Sequence, residues 1–106
     1  MTEQNKITTV QTLVGNDAEA TTEVVSLYLA VAKNKMVARL YPFNDAATDI
    51  PEKYDLTQCE LAARLFLRRG GEGEKAHNEN GVNRTYGSVD DEDILARLTP
   101  YIKVGQ

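Results

Sequence analysis

The residues best suited to binding a metal ion lie in one glycine-rich stretch, where His77 is close in sequence to Glu72, Glu74 and Glu79. An imidazole and several carboxylates are metal ligands, so this group is the first candidate for a metal site. Zinc sites, however, usually draw on several Cys or His side chains held by rigid elements, and this stretch offers one histidine among glycines. We therefore predict no functional metal and no cofactor.

A run of acidic residues at 90–93 could supply paired catalytic carboxylates or oxygen ligands for magnesium. Ser88 favours a simpler interpretation, because a serine followed by Asp91 three positions later forms a capping box, and acids favour the first turn of a helix. The single cysteine, Cys59, lies on an apolar stripe and far in sequence from the single histidine, so no nucleophile and base are paired. These patterns predict a protein that is not an enzyme.

Length and charge restrict the remaining functions. The chain has 106 residues, of which 42% are hydrophobic, and this suits one domain with one core. A net charge of −4 disfavours a protein that grips nucleic acid. The small basic group of Lys33, Lys35 and Arg39 is interpreted as a solvated face that complements a helix dipole. No apolar run is long enough to span a membrane and the polar start lacks a signal-peptide pattern, so we expect a soluble protein made in a cytoplasm.

The spacing of apolar residues and of helix-stop signals predicts a mainly α fold. The prediction is a single domain over 1–106, with helices over 5–14, 17–41, 52–69 and 89–99 and a C-terminal tail over 100–106. Asn5 is the expected cap of the first helix and Gly15 its stop, whereas Asn16 followed by Glu19 has the form of a capping box for the second. Pro42 ends the second helix, and a turn-rich loop with Asx residues leads to the third.

The two central helices carry more apolar residues than one small bundle can cover. From Val24 to Ala32 the second helix is apolar on nearly every side, whereas a surface helix normally keeps a polar face. The third helix combines one apolar stripe with further leucines that widen it. The stripe consists of Leu56, Cys59, Ala62, Ala63 and Phe66, and the widening residues are Leu61, Leu65 and Leu67. We expect something beyond one neighbouring helix to cover these surfaces.

Residues 70–88 form a glycine-rich insertion between the predicted third and fourth helices. Within it, Val82, Arg84 and Tyr86 alternate with polar residues and are followed by glycine and serine, as in a short strand. A lone strand needs hydrogen-bond partners, which a hairpin within the insertion or another copy of the chain could supply. The predicted fold is a small bundle of about four helices with a glycine-rich loop or short β-hairpin between the third and the fourth.

Along its whole length, the chain resembles the head-to-tail connector proteins of tailed bacteriophages, also called adaptor or head-completion proteins. The resemblance rests on the order of its elements: a short helix ending VGN, a long apolar helix, a Pro-bounded loop, a helix ending LFLRRGGEGE, the stretch NGVNRTYGS, an acid-capped helix and LTPYIKVG. Its most specific parts are RGGEGEKAHNENGVNRTYGS and LTPYIKV, while the N-terminal third matches in pattern alone.

The resemblance implies a structural virion protein at the head-tail junction, which forms a ring of about twelve copies under the portal. Such a ring joins the DNA-filled head to the tail and extends the DNA exit channel. Its partners are the portal protein, a tail-side completion protein and other copies of the chain. The residues assigned to contacts between subunits are Gly81, Val82, Arg84 and Tyr86. The residues assigned to the portal side are Leu98, Tyr101, Ile102 and Val104.

The connector interpretation also carries expectations about assembly and DNA. Free subunits are expected to be monomers that associate when the portal and neighbours are present, in the host cytoplasm. An acidic protein suits a channel wall that repels DNA, so DNA is expected to pass without specific binding. The alternative is a small helical interaction or regulatory protein that binds a partner helix in an apolar groove, and this predicts a discrete complex rather than a ring.

Overall fold

The computed structural model describes residues 1–78 and 91–101, and for residues 70–78 it describes the backbone alone. Its elements are α1 (Glu3–Leu13), α2 (Thr22–Leu40), a 3-10 turn (Glu52–Tyr54), α3 (Asp55–Asn78) and a short helix, α4, at 91–95. This part of the chain contains helices and no strand, which confirms the mainly α class and the small helical bundle. None of its helices is both long enough and apolar enough to cross a membrane.

α1 and α2 both begin at a threonine whose hydroxyl oxygen caps the first turn. Thr2 accepts a hydrogen bond from the backbone N–H of Asn5 at 3.1 Å, and Thr21 accepts one from Val24 at 3.2 Å. The sequence prediction places these caps at Asn5 and Asn16, and both positions are wrong. Each hydroxyl satisfies a backbone donor that the first turn of the helix leaves without a partner.

The chain leaves α1 through two residues with left-handed backbone geometry, Gly15 at φ 75° and Asn16 at φ 58°. The N–H of Gly15 donates to the carbonyl of Thr12 at 3.0 Å, and the N–H of Asn16 donates to that of Gln11 at 2.8 Å. These two bonds form a Schellman cap, so Gly15 ends α1 as predicted. Because Asn16 belongs to this cap, α2 starts later than the sequence prediction has it.

α3 follows the 3-10 turn that starts at Glu52, as predicted, but continues past the predicted end at Arg69 to Asn78. The prediction that 70–78 belongs to a loop or strand insertion is therefore wrong, and residues 79–88 of that insertion lie outside the described residues. A glycine inside a helix costs about 1 kcal/mol relative to alanine. An existing helix nevertheless gains one hydrogen bond with each residue added, and the glutamates, lysine and alanine after Gly71 favour that extension.

α4 ends earlier than the predicted helix over 89–99, because its α-helical part ends at residue 95. Two i to i+3 hydrogen bonds of 3.0 Å, donated by Arg97 and Leu98, then tighten the chain. Pro100 follows and has no N–H with which to continue a helix, so the turn ends there. The predicted cap Ser88 lies outside the described residues.

The loop between α2 and the 3-10 turn has the predicted turn-rich character. The side chain of Asn44 accepts a hydrogen bond from the N–H of Ala46 at 3.0 Å, and that of Asp49 accepts one from Ile50 at 2.8 Å. Such local bonds replace helix or sheet partners for the loop backbone. α2 itself ends at Leu40, shortly before Pro42 as expected.

α2 packs against α3, and α1 lies beside both of them. In the second turn of α2, the ring of Tyr28 meets the ring of Phe66 edge-on with centroids 6.1 Å apart, and Glu19, which precedes α2, pairs with Arg69. The first turns of α2 thus lie next to the middle of α3. At the start of α1, Lys6 reaches the first turns of α3, so these two helices run in the same direction.

The core lies between the inward faces of these helices. On α2 the buried residues recur at helical spacing and are Val25, Leu29, Ala32, Met36 and Leu40. The opposite side of α2 stays open, since Leu27 is 60% and Val31 36% exposed. α3 buries most of its predicted stripe, but Leu56 is 51% and Leu67 58% exposed. Both leucines belong to the apolar surface that, by the sequence prediction, something beyond one neighbouring helix covers.

A buried polar group joins the three long helices. The ammonium of Lys6 donates to Oε1 of Gln58 at 2.7 Å and lies 3.4 Å from Oδ1 of Asp55. Gln58, which is 1% exposed, donates from Nε2 to the carbonyl of Leu29 at 2.9 Å. The thiol of Cys59 lies beside this group, and burial raises its pKa to about 11. Cys59 is therefore a small core residue, as predicted.

Candidate assembly surfaces

Three acidic residues of α4, Asp91, Glu92 and Asp93, form a cluster that we call the acidic clasp, because it holds the C-terminal segment on α2 and α3. Asp91 is 9% exposed and accepts hydrogen bonds from Arg68 at 2.9 and 3.3 Å. It also lies 3.4 Å from Nζ of Lys35. Burial alone would raise the pKa of Asp91, but the hydrogen bonds and charge of Arg68, together with Lys35, outweigh it and hold the pKa below its usual range.

The outer part of the clasp is more exposed. Glu92 pairs with Arg39 of α2, and Asp93 accepts hydrogen bonds from both terminal nitrogens of Arg64 of α3. Those bonds from Arg64 lower the pKa of Asp93. An exposed ion pair contributes little stability by itself. Together, however, the pairs fix the position of α4 against two different helices.

The clasp changes the interpretation of the acidic run and of the basic group on α2. A helix start accounts for the position of residues 91–93 but not for their partners. Lys35 and Arg39, interpreted from the sequence as a solvated face, bind the clasp. Within residues 1–69 and 91–101, no group of three or more His, Cys, Asp or Glu side chains is placed to hold a metal ion. The candidate around His77 lies outside the described side chains.

Sequence reasoning missed the bases that the clasp binds, although their spacing carries a signal. Lys35 and Arg39 are four positions apart on α2, and Arg64 and Arg68 are four positions apart on α3. Residues four positions apart share one face of a helix, so each pair presents two cations on the same side. Two such pairs of cations, one on α2 and one on α3, together with one run of acids on α4, indicate that these three helices are in contact.

The chain after the clasp is anchored by apolar burial and by backbone hydrogen bonds. Ile94 is 2% and Leu98 3% exposed, and both belong to the core. The N–H of Thr99 donates to the hydroxyl oxygen of Tyr54 at 3.1 Å, and this bond lowers the pKa of the Tyr54 hydroxyl. The segment therefore forms part of the folded domain up to this point.

Tyr101 is the last residue of the described C-terminal segment, and it contacts the C-terminal end of α2. Its N–H donates to the carbonyl of Leu40 at 2.7 Å, so a residue late in the chain satisfies a carbonyl that the helix leaves open. Its ring stacks on that of Tyr41, with centroids 5.0 Å apart and an interplanar angle of 3°. Burial, followed by the neighbouring Tyr101, raises the pKa of Tyr41. The ring of Tyr101 remains 49% exposed.

The residues assigned to the portal differ in their exposure to solvent. Leu98 is a core residue, so its assignment as a surface contact does not hold in this conformation. Tyr101 is at the surface, as its assignment requires. Ile102 and Val104 lie outside the described residues. The proposed subunit contacts, Gly81, Val82, Arg84 and Tyr86, lie outside them as well.

A shallow groove of about 680 Å³ follows the outward side of α3, and we call it the α3 groove. Its lining residues are Leu13, Glu60, Ala63, Arg64, Leu67, Arg68 and Asp93. The floor is apolar, with Leu13 46% and Leu67 58% exposed. The charged rim is already paired within the chain, because Arg64 and Arg68 bind the clasp and Glu60 binds Arg97.

A second apolar surface lies on the outward side of α2, away from the core, and we call it the α2 face. It consists of Leu27, Ala30, Val31, Asn34 and Ala38, all of them exposed. No member of this set is charged. Exposed apolar patches of this kind mark sites of protein contact.

The comparison with protein families agrees with an assembly protein. The profile of the family described as phage gp6-like head-tail connector protein matches residues 4–101. The chain belongs to this family. The comparisons with curated proteins and with solved structures returned no match.

Membership confirms the connector resemblance seen in the sequence. The connector is a structural protein of a phage particle and not an enzyme, as the sequence predicts. Its family implies contacts with portal and tail components and with other copies of itself. The matched residues run from the first turn of α1 to Tyr101 and include the acidic clasp, the α3 groove and the α2 face. These three features are therefore the surfaces on which to look for assembly.

Proposed function

We propose that the connector works as a ring of about twelve copies under the portal, where it joins the DNA-filled head to the tail and extends the DNA exit channel. The observation that carries this proposal is the family match over residues 4–101. The exposed leucines on α2 and on α3 support it, because two different apolar surfaces on one chain suit a head-to-tail contact between copies. Such a contact closes into a ring when the rotation between copies allows.

The insertion is proposed to add contacts between subunits. Val82, Arg84 and Tyr86 alternate with polar residues after Gly81, which suits a strand that pairs with a neighbouring copy. A strand of this kind needs backbone partners from elsewhere. Such pairing would add to the contacts of the helices.

The portal contact is proposed for Tyr101, Ile102 and Val104. Tyr101 supports the proposal, because its backbone is fixed to Leu40 while about half of its ring faces solvent. Exposed aromatic side chains on a fixed backbone make good anchors at interfaces, where tyrosine is enriched. Leu98 is left out of this group because it is buried.

DNA is proposed to pass through the ring without specific binding. The chain has a net charge of −4, and phosphate binding needs clustered cations that are available to the ligand. The bases that face each other across α2 and α3, Lys35, Arg39, Arg64 and Arg68, bind the acids of the clasp instead. Repulsion from an acidic wall would ease the movement of DNA.

Assembly is proposed to take place on the portal, in the host cytoplasm, from subunits that are monomeric when free. The apolar surfaces of one copy are shallow, so the contact between two copies is expected to be weak without a template. The portal supplies the template by holding many copies side by side. The opposite side of the ring then receives the tail-side completion protein.

Electron microscopy of the purified connector mixed with its portal complex tests this proposal. We expect a ring on one end of the portal. A chain shortened to end at Tyr101 should keep its fold and lose the docking, because the removed residues carry Ile102 and Val104 while the hydrogen bond to Leu40 remains. A Phe43→Ala variant, changed at a 69% exposed loop residue, is the matched control.

Two results would count against the proposal. A discrete one-to-one complex in place of a ring would favour a helical interaction protein. Normal docking by the shortened chain would leave the ring in place but remove the assignment of the portal contact to the C-terminal residues.

A further inference from the structure

We infer that neighbouring connectors in the ring meet through the α2 face of one copy and the α3 groove of the next, with the two helices antiparallel. The inference rests on the proposed function, because it names the surfaces by which copies in the ring touch. The occupant of the groove is therefore a second copy of this chain.

The first argument is that the α2 face and the side of α3 that forms the groove repeat with the same spacing. The positions are Leu27, Val31, Asn34 and Ala38 on α2, and Leu56, Glu60, Ala63 and Leu67 on α3, where Ala63 is 6% exposed and forms part of the groove floor. Each set spans three helical turns, or about 16 Å at 1.5 Å per residue. Two strips of equal length and equal spacing can pack side chain against side chain along their whole length.

The second argument is the chemistry of the facing residues. The antiparallel register places Leu27 against Leu67, Val31 against Ala63, Asn34 against Glu60 and Ala38 against Leu56. Apolar residues then meet apolar residues, large side chains meet small ones at two positions, and the Asn34 amide can donate to the Glu60 carboxylate. The parallel register would instead press Val31 on the Glu60 carboxylate, which costs desolvation without a new hydrogen bond.

The third argument is charge. Glu23 lies one turn before Leu27 and has no ion-pair partner within residues 1–69 and 91–101. In the antiparallel register it lies towards Arg68, which also binds Asp91 of its own chain. The parallel register would bring Glu23 to Glu52 of the 3-10 turn before α3, so two acids would meet. Complementary charges of this kind set the direction of a contact more than its strength.

Disulfide crosslinking between mixed variants tests the inference. Leu27→Cys connector is mixed with Leu67→Cys connector on the portal complex under mild oxidation, and covalent dimers are expected. Leu27→Cys mixed with Leu56→Cys is the matched control, because Leu56 is 51% exposed on the same side of α3 but about 16 Å further along. Native Cys59 should not interfere, since it is buried and its pKa of about 11 keeps it protonated.

A second variant covers the case in which a cysteine disturbs packing. Val31→Asp places a carboxylate in the middle of the α2 face and should lower ring assembly about tenfold, because it would be buried at the contact. Phe43→Asp is its control at an exposed loop position. Circular dichroism of each variant should show an unchanged fold, since all of the altered side chains are exposed in the free chain.

The outcomes separate this inference from the proposed function. Rings together with dimers in the Leu27 and Leu67 mixture alone support both. Rings without those dimers, dimers in the Leu56 control, or dimers formed by Leu27→Cys alone would overturn the contact named here and leave the ring standing. Absence of a ring on the portal, even with the unaltered connector, would overturn the proposed function and the inference with it.

Discussion

Replacing Asp91 with asparagine should loosen the C-terminal segment more than any other single change in the acidic clasp. The substitution keeps the size of the side chain and removes the charge that binds Arg68 at 2.9 and 3.3 Å and Lys35 at 3.4 Å. A hydrogen bond to a charged group contributes about 1.5 to 3 kcal/mol when it is shielded from water. Asparagine can still accept one of these bonds, so we expect a loss of about 2 kcal/mol in the free energy of unfolding.

The loss should be visible as a lower melting temperature. The unfolding entropy of a globular protein is about 2.1 cal/mol/K per residue near 60 °C, so a loss of about 2 kcal/mol lowers the melting temperature of this chain by roughly 9 °C. Urea titration followed by far-UV circular dichroism measures the free energy directly. Amide hydrogen exchange at Ile94 and Leu98 shows whether the segment opens before the remaining helices unfold.

Asp93→Asn is the matched control for this prediction. Its side chain is 58% exposed, against 12% for that of Asp91, so water screens its pair with Arg64 and the effect should be clearly smaller. Equal losses in the two variants would refute the argument from burial. Unchanged exchange at Leu98 in Asp91→Asn would show that the clasp does not hold the segment.

Further predictions concern pH, the core and the first turn. The pKa values of Asp91 and Asp93 are lower than the value of about 3.9 in an unfolded chain, so their stabilisation is complete above that pH and is lost as the pH falls through the folded values. A urea unfolding midpoint that decreases as the pH is lowered from 5 to 3 would support this prediction, whereas the same midpoint at both pH values would contradict it. Leu98→Ala should cost about 2 to 5 kcal/mol, because it empties a core position, and a change below 1 kcal/mol in urea titration would contradict its burial. Gly15→Ala should cost about 1 to 2 kcal/mol in the same assay through its left-handed backbone alone, since a Cβ there meets no atom within 4 Å; Gly15→Asn should lose less.

The helices were predictable because apolar spacing is a local signal, whereas their exact starts depend on a choice between nearby caps. Thr2 and Asn5 can each cap a helix, and so can Asn16 and Thr21. Which residue of each pair becomes the cap depends on where the backbone that follows it is helical. The left-handed backbone of Asn16 commits it to the end of α1, and no propensity states this in advance.

The sequence predicts that apolar assembly surfaces exist on α2 and α3, but it does not predict their position on each helix. Excess apolar residues on α2 and α3 indicate that something covers them, but the sequence does not say which side the core takes. The clasp and the buried group around Lys6 are harder to foresee, because their partners come from distant parts of the chain. Lys6 and Gln58 are separated by 52 positions. A lysine that should face water is buried because an amide and a carboxylate from another helix satisfy it.

The acidic clasp has a consequence for the kinetics of folding. Its pairs join residues that are 23, 29 and 53 positions apart, so forming them requires a long loop to close first. α1, α2 and α3 can pack before this closure, because their shared core contains most of the buried side chains. Interactions formed late in folding govern the unfolding rate rather than the folding rate. The cations of α2 and α3 that bind the clasp thus gain these partners only when α4 docks, and the lifetime of each folded subunit depends on how slowly α4 dissociates.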